Sequence, residues 1–120
     1  LATKYRADAQ ISFPFDHAGD ENSATDATGI TQYYYQENGQ ALTSALHNAL
    51  NSLPMTDRGM DTAKYVVLNR ASQPATLLEL GYINNPSDFK KIQSTRYQKQ
   101  IANAITKGLT TYFDNEAGKK

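Results

Sequence analysis

Glu79 is the residue whose neighbours most demand an explanation. It closes the apolar run Ala75-Thr76-Leu77-Leu78 and is followed by Leu80-Gly81-Tyr82-Ile83. A carboxylate inside such a run is costly to bury unless it is paired or put to use. Two readings fit the spacing. Glu79 can close an ion pair with Arg70 or Arg58, or it can serve chemistry at the carboxyl end of an inner strand, where open α/β sheets place their ligands. His17 is the second candidate. It lies just past the short run Ile11–Phe13, inside Asp16-His17-Ala18-Gly19-Asp20-Glu21. Carboxylates beside it could orient a metal-ligating imidazole, although a loop histidine without a metal is the commoner case. His47 falls opposite the leucine stripe of its helix and reads as a solvated surface residue.

Other chemistries find little support. A catalytic zinc takes three protein ligands and keeps one position open for water, and spacing alone offers no HxxxH or HxxE set. Gly29, Gly39 and Gly59 are isolated, so no phosphate-cradling loop is present. The absence of a GxSxG elbow argues against a serine hydrolase. Cysteine is absent, which excludes thiol catalysis, Cys₄ zinc and disulfides.

The elements that must hold these residues alternate between strand and helix. Ala9–Phe13 reads as a short strand stopped by Pro14, which cannot donate to a ladder. The acidic stretch from Asp16 to Thr28 reads as an exposed loop. Ile30–Tyr35 is β-branched and aromatic and predicts a second strand, with the run Tyr33-Tyr34-Tyr35 taken as structural. Ala41, Leu42, Ala45, Leu46, Ala49 and Leu50 recur at helical spacing. Tyr65–Leu68 and Ala75–Leu78 are continuous apolar runs, as expected of strands covered on both faces. Asn85 caps a helix that starts at Pro86, and Asp88 favours its positive end. After a further cap at Ser94, the residues Tyr97, Ile101, Ile105, Leu109 and Tyr112 make one face of a long final helix. Residues 1–114 form one domain on this reading, and the polar segment 115–120 is expected to fray as a flexible tail. The pattern is that of an α/β layer fold.

Composition narrows the function classes. The chain has 120 residues, with 12 Lys+Arg against 12 Asp+Glu. A zero net charge lacks the basic footprint of a nucleic-acid binder. No apolar stretch is long enough to span a bilayer, and no signal peptide is visible at Leu1.

One segment resembles a known family. Pro74-Ala75-Thr76-Leu77-Leu78-Glu79-Leu80-Gly81-Tyr82-Ile83-Asn84-Asn85 is similar to the PAxLxExGFxxN signature of zinc-dependent N-acetylmuramoyl-L-alanine amidases of the Amidase_3 type. Gly29–Tyr35 resembles the family's GxxxYYY strand. Arg58-Gly59 followed by Tyr65–Arg70 resembles its RGxK…fxVLR stretch, and Tyr97–Tyr112 its closing helix. The order of these matches covers nearly the whole chain, as the C-terminal two-thirds of the family's domain.

The resemblance implies a twisted, mostly parallel sheet flanked by helices, with one zinc at its carboxyl edge held by two histidines and a glutamate. It casts Glu79 as the general base that takes the proton of the attacking water and returns it to the leaving amine. The amide cut would join the lactyl group of N-acetylmuramic acid to L-alanine, so the partners would be the stem peptide and glycan of peptidoglycan. The setting would be extracellular, as for a secreted bacterial autolysin. The family's first strand, with its GHGG histidine and ligand glutamate, falls before Leu1. Its remaining histidine, in SIHAN, aligns residue for residue with Pro14, and a three-residue shift brings His17-Ala18 into that place. His17 is thus the one metal-ligand candidate, and zinc binding by this chain alone is expected to be weak or absent. The alternative function is a non-catalytic module that keeps the groove for muropeptide or protein but has lost the metal. A sheet lacking its first strands would also expose an edge open to self-association.

Overall fold

The computed structural model describes residues 7–20 and 22–119. Four strands form one sheet: β1 (Gln10–Ser12), β2 (Ile30–Tyr34), β3 (Asp57–Thr62) and β4 (Ala75–Glu79). Their order is β1-β4-β2-β3. β1 runs parallel to β4, β3 runs parallel to β2, and β2 and β4 pair antiparallel. The expected mostly parallel, helix-flanked sheet is therefore present. The helices are α1 (Gln40–Leu50), α2 (Val66–Asn69), α3 (Pro86–Ile92) and α4 (Thr95–Ala117).

β4 is an inner strand because both of its faces are covered. Alternation along a strand sends successive side chains to opposite faces. Leu78 and Leu80 join the main core of α1 and α4, packed with Leu42, Leu46, Leu50, Ile101 and Tyr112. Ala75 and Leu77 face the other way, toward Leu68 and Tyr33. The two helices of the main core approach closely at Gly108, where a Cβ would stand 2.7 Å from Leu46 Cδ2. Ala104 and Gly108 take the centre of that contact, so Ile105 and Leu109 are only partly buried. The small residues lie nearest α1, and the larger apolar ones flank them.

The run Tyr65–Leu68 corrects the expected strand. It starts α2, with Val66 69% exposed and only Leu68 buried. The strand beside β2 is instead the polar Asp57–Thr62, an edge strand held by backbone pairing. Ile30 pairs with Asp57 while Gln32 pairs with Met60, so one extra residue is accommodated as a bulge. Gly59 sits there at φ +88°, a conformation that suits glycine. The final helix runs on through Ala117.

The helix starts behave as their residues dictate. Asp88 N donates to Asn85 Oδ1 at 2.9 Å, with Pro86 in the first turn, and Tyr97 N donates to Ser94 Oγ at 3.3 Å. Asp88 does more than favour a helix end. It is fully buried and accepts from Thr28 Oγ1 at 2.5 Å, Gly29 N at 3.1 Å and Tyr82 N at 3.0 Å. One carboxylate thereby ties the start of β2 and the turn after β4 to α3.

Candidate active site at the carboxyl end of the inner strand

The apolar run that buries β4 ends at Glu79, opposite Thr31 of β2. Alternation places Glu79 on the face of Ala75 and Leu77, away from the leucine core. The chain then turns through Gly81 at φ +134°, where a Cβ would press on Met55 and Ile92. Beyond the turn Tyr82 forms a parallel bridge with Asp16. Asp16 N donates to Gly81 O at 2.9 Å, and Ile83 N donates to Asp16 O at 2.7 Å. These bonds extend the β1–β4 pairing past Pro14, whose carbonyl accepts from Leu80 N at 3.4 Å.

This register brings two carboxyl groups together. Glu79 is pushed up from its ordinary 4.5 to about 7, first by burial, then by hydrogen bonding to Asp16 and by the Asp16 charge. A protonated Glu79 can donate in that bond, whereas two ionised carboxylates can only accept. Arg58 acts in the opposite sense and lowers the Glu79 value. Three tyrosines share the neighbourhood. Burial raises Tyr33 and Tyr65, and the Glu79 charge adds to both. Their rings meet edge to face with centroids 5.5 Å apart. Tyr82 lies beneath Arg58, whose guanidinium carbon is 5.3 Å from the ring centroid.

The acidic loop is fastened to the same edge. Asn84 Nδ2 donates to Ala18 O at 2.7 Å and Ser23 O at 3.0 Å, while Asn85 Nδ2 donates to Thr25 O at 3.1 Å. His17, within this loop, is exposed, and its Nδ1 lies 3.2 Å from the carbonyl of Gly19. Asp16 rather than His17 is the loop residue brought to Glu79. Glu21 lies outside the described residues.

His47 requires a correction. Its side chain is 18% exposed rather than solvated. Nδ1 is 2.5 Å from Gln32 Oε1, and Nε2 is 3.5 Å from Asp57 Oδ2. The helical wheel identifies the flank of α1 opposite the leucines, but β2 and β3 reach over that flank and enclose it. His47 belongs to this packing, on the opposite face of the sheet from Glu79.

Of the two cations expected as partners for Glu79, Arg58 is the one whose charge reaches it. Tyr33, Tyr65 and Tyr82 were not read as site residues. Tyr33 and Tyr65 fall in the GxxxYYY-like and fxVLR-like stretches, but their convergence depends on sheet pairing and on α2. Asp16 stands beside His17 in sequence, and its role depends on the bridge to Tyr82.

The described residues of this chain do not by themselves fit a zinc ion. Among the described residues no group of three or more His, Cys, Asp or Glu side chains is gathered so as to hold a metal. Pro14, level with Glu79, offers no ligating side chain, and the His17 ring is tied to its own loop.

An open, mostly parallel sheet flanked by helices defines an α/β protein, a class that places its ligands at the carboxyl ends of the strands. The chain matches the family model described as N-acetylmuramoyl-L-alanine amidase over residues 1–111, and it belongs to that family. It is 34% identical over 111 residues to the probable cell wall amidase LytH of Staphylococcus epidermidis, covering 92% of this chain and 37% of that protein. The catalytic domain of CwlV, an N-acetylmuramoyl-L-alanine amidase from Bacillus (Paenibacillus) polymyxa, superposes with a TM-score of 0.87 at 25% identity, over 94% of this chain and 62% of that one. The amidase AmiC2 of Nostoc punctiforme gives a TM-score of 0.84 at 30% identity, again over 94% and 62%. The chain thus spans less than two-thirds of the length of each of these relatives.

Proposed function

We propose that this chain carries the proton-handling part of a peptidoglycan hydrolase that cleaves the amide between the lactyl group of N-acetylmuramic acid and L-alanine. The observation that carries this reading is Glu79, a carboxyl with a near-neutral pKa at the end of the inner strand. A general base works best when its pKa lies near the operating pH, because it can then both accept and return a proton. In this role Glu79 takes a proton from the attacking water and delivers it to the amide nitrogen as the peptide leaves. Asp16 holds the Glu79 carboxyl in place and raises its proton affinity. Zinc, the metal implied by the family resemblance, would supply Lewis-acid polarisation of the scissile carbonyl. With no fitting ligand set among the described residues, no step is assigned to it.

The reading places the protein at the bacterial cell wall, outside the cell. Among the described residues no helix is long and apolar enough to cross a membrane. The decisive experiment incubates the complete parent enzyme, supplied with zinc, with purified muramoyl-peptides and detects newly freed alanine amino groups. Release by the native protein, lost in Glu79→Gln with an unchanged melting temperature, is the expected result. Near-normal release by a stable Glu79→Gln variant overturns the assignment.

A further inference from the structure

We propose that Arg58 is the receptor for a carboxylate on the peptide side of the scissile amide, and so selects acylated peptides ending in a free acid. The inference rests on the amidase reading above and concerns which substrates that site prefers.

Arg58 is an exposed residue of the edge strand β3, yet its side chain is held in place. Its stem packs against Gly29, where a Cβ would come within 3.1 Å of Arg58 Cγ. Its guanidinium covers the Tyr82 ring, and Nη1 donates to Thr28 O at 3.4 Å. Among the described residues no carboxylate oxygen lies within 4.0 Å of the Arg58 guanidinium, although its charge reaches Glu79. A guanidinium has five N–H donors in a planar fork that matches a carboxylate. Among the described residues, the hydrogen bond to Thr28 O engages one of these donors. The charge is also on the Glu79 side of the molecule, since it acts on both Glu79 and Tyr82.

The chemistry of the substrate says which anion can meet this cation. In a muramoyl-peptide the lactyl carboxyl is consumed by the amide, so the sugar half carries no acid. The same bond consumes the peptide's amino group, so the peptide loses its positive end and keeps its terminal carboxylate. A peptide with neutral side chains therefore presents one charge, negative and on the leaving side. An extended residue spans at most about 3.3–3.6 Å, so the carboxylate of a dipeptide lies within about 7 Å of the scissile nitrogen. Bidentate pairing with Arg58 would orient the leaving peptide, and the new ammonium would emerge beside Asp16 and Glu79.

The test uses two ligands, N-acetylmuramoyl-L-alanyl-L-alanine with a free terminal carboxylate and the same molecule ended as a carboxamide. Affinities are measured by calorimetry for the native chain, Arg58→Gln and Arg58→Lys, and hydrolysis is followed on the same samples. The native chain is expected to bind the acid about tenfold more tightly than the amide, the scale of a charge-assisted hydrogen bond. Arg58→Gln should abolish that preference, and Arg58→Lys should keep part of it because charge survives without the fork. Equal binding of both ligands by the native chain, binding of neither, or a preference that survives in Arg58→Gln overturns the proposal. A preference without hydrolysis by the zinc-loaded full-length protein would sink the amidase reading and leave the Arg58 assignment standing, whereas hydrolysis without a preference would do the reverse.

Discussion

The two faces of β4 are built on opposite terms. Toward α1 and α4 the strand sends Leu78 and Leu80 into a core whose leucines are at most 6% exposed. Toward α2 it sends Ala75 and Leu77, then Glu79, among tyrosines, Asp16 and Arg58. The first face gains by excluding water from apolar surface. The second holds an acid that is costly to ionise where it stands. On the proposed function, stability and chemistry fall to alternate residues of one strand, which is possible because side chains alternate between faces. Substitutions on one face should therefore read out differently from those on the other.

The largest expected effect tests the chemical face. Glu79→Gln should lower amide hydrolysis on the order of a hundred- to ten-thousand-fold, with melting no worse than native, because volume is kept and an acid is removed. Steady-state rates and thermal melts on one preparation check both halves. Next comes the packed face. Leu46→Ala removes a fully buried side chain from the α1–α4 contact and should cost about 2–5 kcal/mol in denaturant unfolding. The turnover of the fraction that remains folded should be unchanged. A loss of turnover per folded molecule would break the division between faces.

Asp88 joins the two regions, and its substitution should fall in between. Asp88→Asn replaces one acceptor oxygen by a donor facing the N–H groups of Gly29 and Tyr82 or the Thr28 hydroxyl. A destabilisation of about 1–3 kcal/mol is expected in urea titration. Because Tyr82 is also bound there, the Arg58–Tyr82 contact should loosen as well.

The smallest effects are in pH dependence. Glu79 has a folded pKa of about 7 against an ordinary 4.5, so between those values the folded state holds more protons than the unfolded one. Its contribution is fully present below the lower value, declines as pH rises toward the higher, and then levels off. Melting temperatures of the native chain should show that decline, and Glu79→Gln should lack it. Asp16→Asn removes the neighbouring negative charge and supplies a donor to ionised Glu79, so the acid limb of the rate profile should move to lower pH. An unmoved limb would separate Asp16 from the Glu79 proton.

Much of this fold could be read from residue order alone. The β4 run, the α1 stripe and the caps at Asn85 and Ser94 are local signals, because backbone geometry and side-chain period act over a few residues. The PAxLxExGFxxN-like segment located Glu79 at a strand end. Tertiary structure decided what depends on neighbours distant in sequence. Tyr65–Leu68 has the composition of a buried strand, yet the place beside β2 is filled by Asp57–Thr62, whose polar side chains gave no strand signal. His47 lay on the polar side of its own helix, and only the reach of β2 and β3 enclosed it. Asp16 was one acid in a loop of acids until its backbone paired with Gly81 and Ile83, which set its carboxyl against Glu79 and raised the proton affinity there. Short-range periodicity carries no information on such pairings, because they are fixed by which strands dock and in what register.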